Sequence, residues 1–204
     1  SKDNAKIKHL RGLIELNSAR KKHQQTVLEG THLCLAWLQQ QKKLFSLFTT
    51  EQALEHADLQ KVIELHQGHV FVISEVLYKD LSTLGTTLPC LAIVDLPKTS
   101  LTIDFKADTL ILENVQDPGN VGTLLRSAAA ANIKQVICTQ GSASLWSPRV
   151  LRAGMGAHFS LHCFENFQLT DILPKFQIPV FVTSSHQSTN LYTKDLTQTC
   201  VWIL

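Results

Sequence analysis

Between Thr109 and Thr139 the chain runs as an apolar strand, a turn containing Pro118 and Gly119, an alanine-rich helix over 121–131, and a second apolar strand from Gln135. Two strands joined through a helix cannot form a hairpin; the helix crosses over, and the strands lie parallel in one sheet. Strands apolar along their whole length suit a sheet covered on both faces. In open sheets of this kind ligands bind outside the carboxyl ends of the strands. The segment 113–126 is therefore where chemistry is expected.

Upstream, strand and helix alternate at short intervals. Ile7, Leu10, Leu13, Ile14 and Leu16 fall at helical spacing, and Arg20-Lys21-Lys22-His23 reads as a basic turn. Strands are expected from Thr26 to Gly30, Leu44 to Thr49, Val70 to Ile73 and Leu88 to Val94. Helices are expected over 31–41, capped by Thr31, over 51–65, and after the cap Ser74. That pattern predicts a compact layered α/β domain over 1–95. The polar run Asp95-Leu96-Pro97-Lys98-Thr99-Ser100 opens a linker over 96–107, and a second domain spans 108–204. Within it, helices near 148–154 and 169–176 and the strand Val180 to Thr183 follow the first unit. The run Thr199-Cys200-Val201-Trp202-Ile203-Leu204 has the character of a buried core strand, so the chain is expected to be a piece of a longer sheet.

Several function classes are set aside by composition. Cys34, Cys90, Cys138, Cys163 and Cys200 are scattered and form no C-x-x-C pair, so they read as buried free thiols rather than zinc ligands or a disulfide framework. The nine histidines show no ligand spacing on a credible helix and read as surface or half-buried residues; no metal is expected. No apolar run approaches the roughly 18 residues a membrane helix needs, and Ser1-Lys2-Asp3-Asn4 leads into a charged segment rather than a secretory signal. A cytoplasmic protein with no membrane partner is expected. Net charge is only +2 but uneven: residues 1–43 carry nine Lys/Arg against three acids, and residues 44–109 four against nine. A basic N-terminal face suits a phosphate backbone, although a solvated helix face produces the same run.

The segment Glu113 to Arg126 holds Asp117-Pro118-Gly119-Asn120, which is turn chemistry, and Gly122, which permits close backbone approach. Asn120 is either an N-cap or a side chain reaching across the turn. Arg126, six residues on, is either a surface ion-pair partner or a guanidinium directed at the same cleft, where it could hold phosphate or stabilise an alkoxide. Neither the G-x-G-x-x-G fingerprint nor a G-x-x-x-x-G-K-[ST] loop occurs.

Asp117-Pro118-Gly119-Asn120-Val121-Gly122 with Arg126-Ser127-Ala128 resembles the first motif of the SpoU-type (TrmH family) RNA ribose 2′-O-methyltransferases of the SPOUT class. Ser147-Pro148-Arg149-Val150-Leu151-Arg152-Ala153-Gly154-Met155-Gly156-Ala157 resembles the family's segment two elements downstream, and Pro179 to Thr183 its next strand. Asn4-Ala5, Lys8-His9-Leu10 and Val27-Leu28-Glu29-Gly30 are similar to its ribosomal-protein-like RNA-binding domain. The resemblance implies a small α/β RNA-binding domain followed by a parallel-sheet α/β-knot domain.

It implies a homodimeric enzyme that transfers methyl from S-adenosylmethionine to a ribose 2′-hydroxyl, in ribosomal RNA rather than transfer RNA. Arg126 would activate the hydroxyl or bind the adjacent phosphate, Asn120 would organise the catalytic loop, and Thr183 would lie near the cofactor's adenine. Lys6, Lys8, Arg11, Arg20, Lys21 and Lys22 would meet RNA. At Gly154 the family more often has serine, and its glycine-asparagine-glutamate-glycine motif and third motif, which form the knot and most of the cofactor pocket, are absent from this sequence. These residues alone are therefore expected to bind S-adenosylmethionine weakly and to be inactive. A non-catalytic RNA-binding protein is the second reading of the same features.

Overall fold

In the computed structural model the described residues are 4–83, 88–97, 102–184, 190 and 193–204; residues 1–3 and positions 98–101 of the expected linker lie outside them. The chain divides into two compact units, one of residues 1–98 with 146–156, the other of 99–145 with 157–204. The division is not a single cut at the linker. The helix at 148–154, which by sequence order follows the second unit's first strands, belongs to the first unit.

The first unit is a four-stranded sheet of order β1-β4-β2-β3, made of β1 Gln25–Glu29, β2 Ser46–Thr49, β3 Val70–Val72 and β4 Leu91–Asp95. β4 runs antiparallel to both β1 and β2, while β2 and β3 are parallel. One face receives α1 (Ala5–Glu15), whose Ile7, Leu10 and Leu13 join Val27, Phe48, Leu91, Ile93 and α5 (Glu75–Leu81) in a single apolar core. Asn4 caps α1 by accepting from the Lys6 N–H. The expected basic turn is instead a second helix, α2 (Asn17–His23). Helices α3 (Thr31–Gln39) and α4 (Ala57–His66) pack on each other. Thr31 does not cap α3: the N-cap is Gly30, at φ +98° and without a side chain to accept. The single helix expected over 51–65 is a 3₁₀ turn, Glu51–Ala53, followed by α4.

Glu29, buried at the end of β1, accepts hydrogen bonds from the Ser82 hydroxyl and from the N–H and hydroxyl of Thr83. The glutamate of the Val27-Leu28-Glu29-Gly30 stretch is thus a strap between β1 and the end of α5. The segment 146–156 completes the unit. Thr26 donates to the Trp146 carbonyl at 2.6 Å, and a helix over Pro148–Gly154 contacts β1.

The second unit is a five-stranded sheet, entirely parallel, in the order β7-β6-β5-β9-β8. Its strands are β5 Thr109–Leu112, β6 Gln135–Thr139, β7 His162–Phe167, β8 Val180–Val182 and β9 Val201–Ile203. The chain steps outward from β5 to β7, crosses to the other edge at β8, and returns to place β9 beside β5. That reversal puts a topological switch point at the carboxyl ends of β5 and β9. One face is packed by Ile111, Ile137, Phe164, Val201 and Ile203 against a layer that includes Phe105, Leu169, Ile172 and Phe176. The helix expected over 169–176 is a short turn Leu169–Ile172 followed by a 3₁₀ turn, with Pro174 inside. Strand β7 is not legible in the sequence, and its register slips opposite Cys138 and Thr139, where Asn166 takes φ +66°.

Four of the five thiols, Cys34, Cys90, Cys138 and Cys200, are buried and all five are free; Cys163 is partly exposed. Burial pushes the Cys163 thiol up to about 12. Among the described residues no helix is long and apolar enough to cross a membrane.

Candidate functional site

The helix that follows β5, α6 (Pro118–Ala130), begins where the parallel sheet ends. Its start is fixed by Asp117, whose carboxylate accepts the Asn120 N–H at 2.7 Å, with Pro118 in the first turn. Proline there fits because its fixed φ is helical and its absent N–H would have had no helical partner. Asn120 is therefore not the N-cap; it sits one turn inside, and its amide makes no hydrogen bond among the described residues.

Helical geometry then places the two candidate catalytic residues. Val121, Gly122, Leu125 and Ala128 form the buried arc of α6. Asn120, Thr123, Arg126, Ser127 and Ala130 form the exposed one. Asn120 and Arg126 lie about 9 Å apart along the axis and about 120° apart around it, so they border the exposed stripe on opposite sides. The Arg126 guanidinium is exposed and has no ion pair or hydrogen bond among the described residues. The surface ion pair open to it from sequence is not made among the described residues.

The loop between β5 and α6 is pinned by two hydroxyls that no sequence motif singles out. Thr139 Oγ1 accepts the Asn114 N–H at 3.1 Å, and Ser142 Oγ accepts the Val115 N–H at 3.1 Å. Both hydroxyls donate to the Leu112 carbonyl, at 3.3 and 3.0 Å. The Ala143 N–H donates to the Val115 carbonyl at 2.9 Å, closing a small ladder between the loops after β5 and β6. Asn114 is left-handed at φ +53°, and Gly141 at φ +90° lies so close that a Cβ there would come 2.6 Å from Asn114 Oδ1. An L side chain at 141 would be strained by its backbone and blocked by the asparagine. The Asp117–Arg126 segment thus stands on a loop in which the Asn114 and Val115 N–H groups are already satisfied.

Three strand ends meet at this edge. The Glu113 N–H donates to the Leu204 carbonyl at 2.8 Å, and the Leu204 N–H to the Ile111 carbonyl at 3.0 Å. The Thr183 N–H donates to the Ile203 carbonyl at 3.1 Å, and its hydroxyl reaches the same oxygen at 3.4 Å. A ligand contact from Thr183 would come through its carbonyl. Beside it Val182 is 65% exposed, an apolar surface at the open end of β8.

Behind the site, Leu145 is held from both sides. Its N–H donates to Glu165 Oε1 at 2.6 Å, and its carbonyl accepts from His158 Nε2 at 2.8 Å. That bond fixes the Nε2–H tautomer. His158 is 2% exposed, unlike the surface or half-buried histidines expected, and burial pushes its titration down to about 4.

The basic residues of the first unit do not act as one set. Arg20 is 5% exposed and donates to the Leu13 and Ile14 carbonyls at 2.8 and 3.3 Å, satisfying the last turn of α1. It is a structural cap and leaves the RNA-binding group. Arg11 bridges Asp80 at 2.5 Å and Glu15 at 3.4 Å, so its charge is largely matched. Lys6, Lys8, Lys21 and Lys22 are exposed.

Known proteins share this architecture. The SpoU rRNA methylase family matches residues 108–204, and the MRM3-like substrate-binding domain matches residues 4–92. A mitochondrial rRNA methyltransferase 3B of Danio rerio is 36% identical over 195 residues, covering 89% of this chain and 43% of the relative. The chain thus spans less than half the length of that curated relative. A solved TrmH-family structure from Porphyromonas gingivalis is 32% identical, covering 98% of this chain and 80% of its own, with a TM-score of 0.80. A solved RNA 2′-O ribose methyltransferase is 25% identical, covering 100% of this chain and 80% of its own, with a TM-score of 0.82. By these matches, along both units and in order, the chain belongs to the SpoU/TrmH family of RNA methyltransferases.

Proposed function

We propose that the protein carrying this chain methylates a ribose 2′-hydroxyl of ribosomal RNA, with S-adenosylmethionine as donor. The observation that carries the reading is the uncommitted pair on α6: an exposed guanidinium and an exposed amide, presented by a helix that starts at the carboxyl edge of a parallel sheet. The named activities of the relatives support the reaction class. The strand ends at Leu204 and Thr183, with the apolar Val182 beside them, fit one wall of a site for a flat adenine.

S-Adenosylmethionine, when bound, supplies an electrophilic methyl group. This chain's residues act on the other reactant. A ribose hydroxyl is a weak nucleophile, and negative charge grows on its oxygen as the proton leaves. Arg126 places a permanent cation where it can lower the cost of that charge or hold the neighbouring phosphate. Asn120, at the far border of the same stripe, offers an amide that can fix the loop or the sugar. The ladder from Thr139 and Ser142 keeps both in place, and positioning of this kind is a large share of such catalysis.

Homodimerisation is part of the proposal, as is a ribosomal substrate. The cytoplasmic location expected from sequence competes with a mitochondrial one, since the zebrafish relative is mitochondrial. Ribosomes occur in both compartments, and the reading suits either.

The test follows labelled methyl into RNA with the complete protein. A 2′-O-methyl ribose leaves a phosphodiester resistant to alkali, which maps the site. Arg126→Ala should lower kcat by about 100-fold or more, as loss of a charge-stabilising donor does elsewhere. Activity unchanged by that substitution would refute the role of Arg126. RNA bound tightly with no methyl transfer under any condition would give the protein the binding role instead.

A further inference from the structure

Outside the methyl-transfer region, the first unit contains a cleft of about 720 Å³ at the base of its sheet, beside the start of α1. That volume falls within the roughly 300–1,000 Å³ of ordinary ligand sites. Its lining combines the Lys6 ammonium, the His9, His23 and His69 rings, and two phenylalanines at the surface, Phe45 and Phe71. Among the described residues no acidic side chain lines it. The Asp95 carboxylate is engaged by the Gln25 amide at 2.9 Å, and Gln25, which lines the cleft, in turn meets His9 Nε2 at 2.8 Å.

The aromatic residues are not equivalent. Phe71 stacks on Phe48 with ring centroids 5.1 Å apart, His69 meets it edge-on at 4.4 Å, and the Lys6 ammonium stands 4.0 Å from its centroid. Its surfaces are taken, and the exposed Lys6 has its ammonium held over that ring at the cleft wall. Phe45 is different. Its backbone is fixed by an N–H bond to the Ile93 carbonyl at 2.7 Å, and the residue is 62% exposed. The cleft therefore has one free aromatic plane, one held cation and several imidazole edges.

We propose that this cleft receives an unpaired nucleotide of the RNA substrate, its base stacking on Phe45 and its phosphate facing Lys6. The inference rests on the reading that the protein acts on RNA, and adds where an unpaired residue is gripped. Proteins that select RNA by sequence or local shape splay single-stranded bases onto aromatic side chains and read base edges with polar groups. The His9–His23 pair, with rings in edge contact at 4.7 Å, and the Ser46 hydroxyl supply such groups along the rim. Lys21 and Lys22 on α2 supply attraction that does not depend on sequence.

The experiment measures binding of the full chain to a fluorescein-labelled ten-nucleotide oligoadenylate and to a 16-base-pair RNA duplex. Phe45→Ala should weaken the single strand roughly tenfold or more, the scale of one lost base stack, while Phe45→Trp retains it. The duplex, which has no free base, should lose no more than about twofold. Lys6→Gln should lower the salt slope for the single strand by about 0.7, the contribution of one phosphate contact. Val76→Ser, at an exposed apolar residue of α5, should change nothing. Because Phe45 lies at the surface, melting curves of its variants should overlay the parent.

If Phe45→Ala binds the oligoadenylate as tightly as the parent while Lys21→Gln with Lys22→Gln loses affinity, the cleft is not the grip and the proposal is overturned. Concentration-dependent self-association abolished by Phe45→Ala, with RNA affinity intact, would assign the surface to a second copy and overturn it equally. Failure of the parent to bind either RNA would remove the RNA reading itself, and this inference with it.

Discussion

Acidification should destabilise the second unit through His158. The folded ring is neutral, sealed in the interior, and donates from Nε2 to the Leu145 carbonyl. Burial holds its titration at about 4, against 6.5 in an unfolded chain. Because the folded value is the lower, the contribution is fully present above pH 6.5 and is lost as pH falls from 6.5 toward 4. The unfolded chain takes up the proton over that range and the folded one does not. The full gap corresponds to about 3 kcal/mol at 1.36 kcal/mol per pH unit, of which roughly 2 kcal/mol is gone by pH 5. The assay is urea unfolding between pH 7.5 and 4.5, followed by fluorescence of Trp202, which stacks on Phe181 within the second unit. His158→Gln serves as reference: its amide can donate to Leu145 but cannot titrate. Wild-type stability should fall more steeply than that of the variant through pH 6.5–5. Parallel curves for the two proteins would refute the reasoning.

Two further predictions concern local structure. Gly141→Ala should destabilise the second unit by about 1–3 kcal/mol, because φ +90° and a Cβ 2.6 Å from Asn114 Oδ1 are both unfavourable; thermal melting measures it, and an unchanged Tm would count against the loop ladder. Arg20→Met should cost about 1–3 kcal/mol by leaving the Leu13 and Ile14 carbonyls without their donor. RNA affinity should be unaltered in that variant, and a lost RNA contact would return Arg20 to the binding surface.

What was legible in the sequence follows from how local each signal is. The β5–α6–β6 unit could be read because apolar strands and an alanine-rich helix are separated by turn residues, with no long-range partner needed. β7 could not: as an edge strand its residues alternate imperfectly, and its bulge at Asn166 erases the period. The start of α6 was misplaced because Asn120 and Asp117 are both good caps, and only Pro118 in the first turn favours the aspartate. Arg20 looked like part of a basic run since burial of a guanidinium depends on carbonyls seven and six residues earlier. The motif Asp117 to Arg126 located the candidate site, but Thr139, Gly141 and Ser142, which hold it, lie after a different strand. A glycine after a strand followed by a serine was the available signal for that second loop, and alone it is too common to use.

The first unit also has a timetable. Its helix at Pro148–Gly154 is synthesised after the two leading strands of the other unit, although it contacts β1 and Trp146, two residues before it, takes the Thr26 hydroxyl. At about 5–20 residues per second, the ribosome delivers this last element several seconds after the rest of the unit has emerged. During that interval β1 is exposed where the helix will rest, and the nascent unit is incomplete in a way that a conventional N-terminal domain is not. Chaperone contact, ribosome pausing near residue 156, or expression of residues 1–98 by themselves would each act on that unfinished surface.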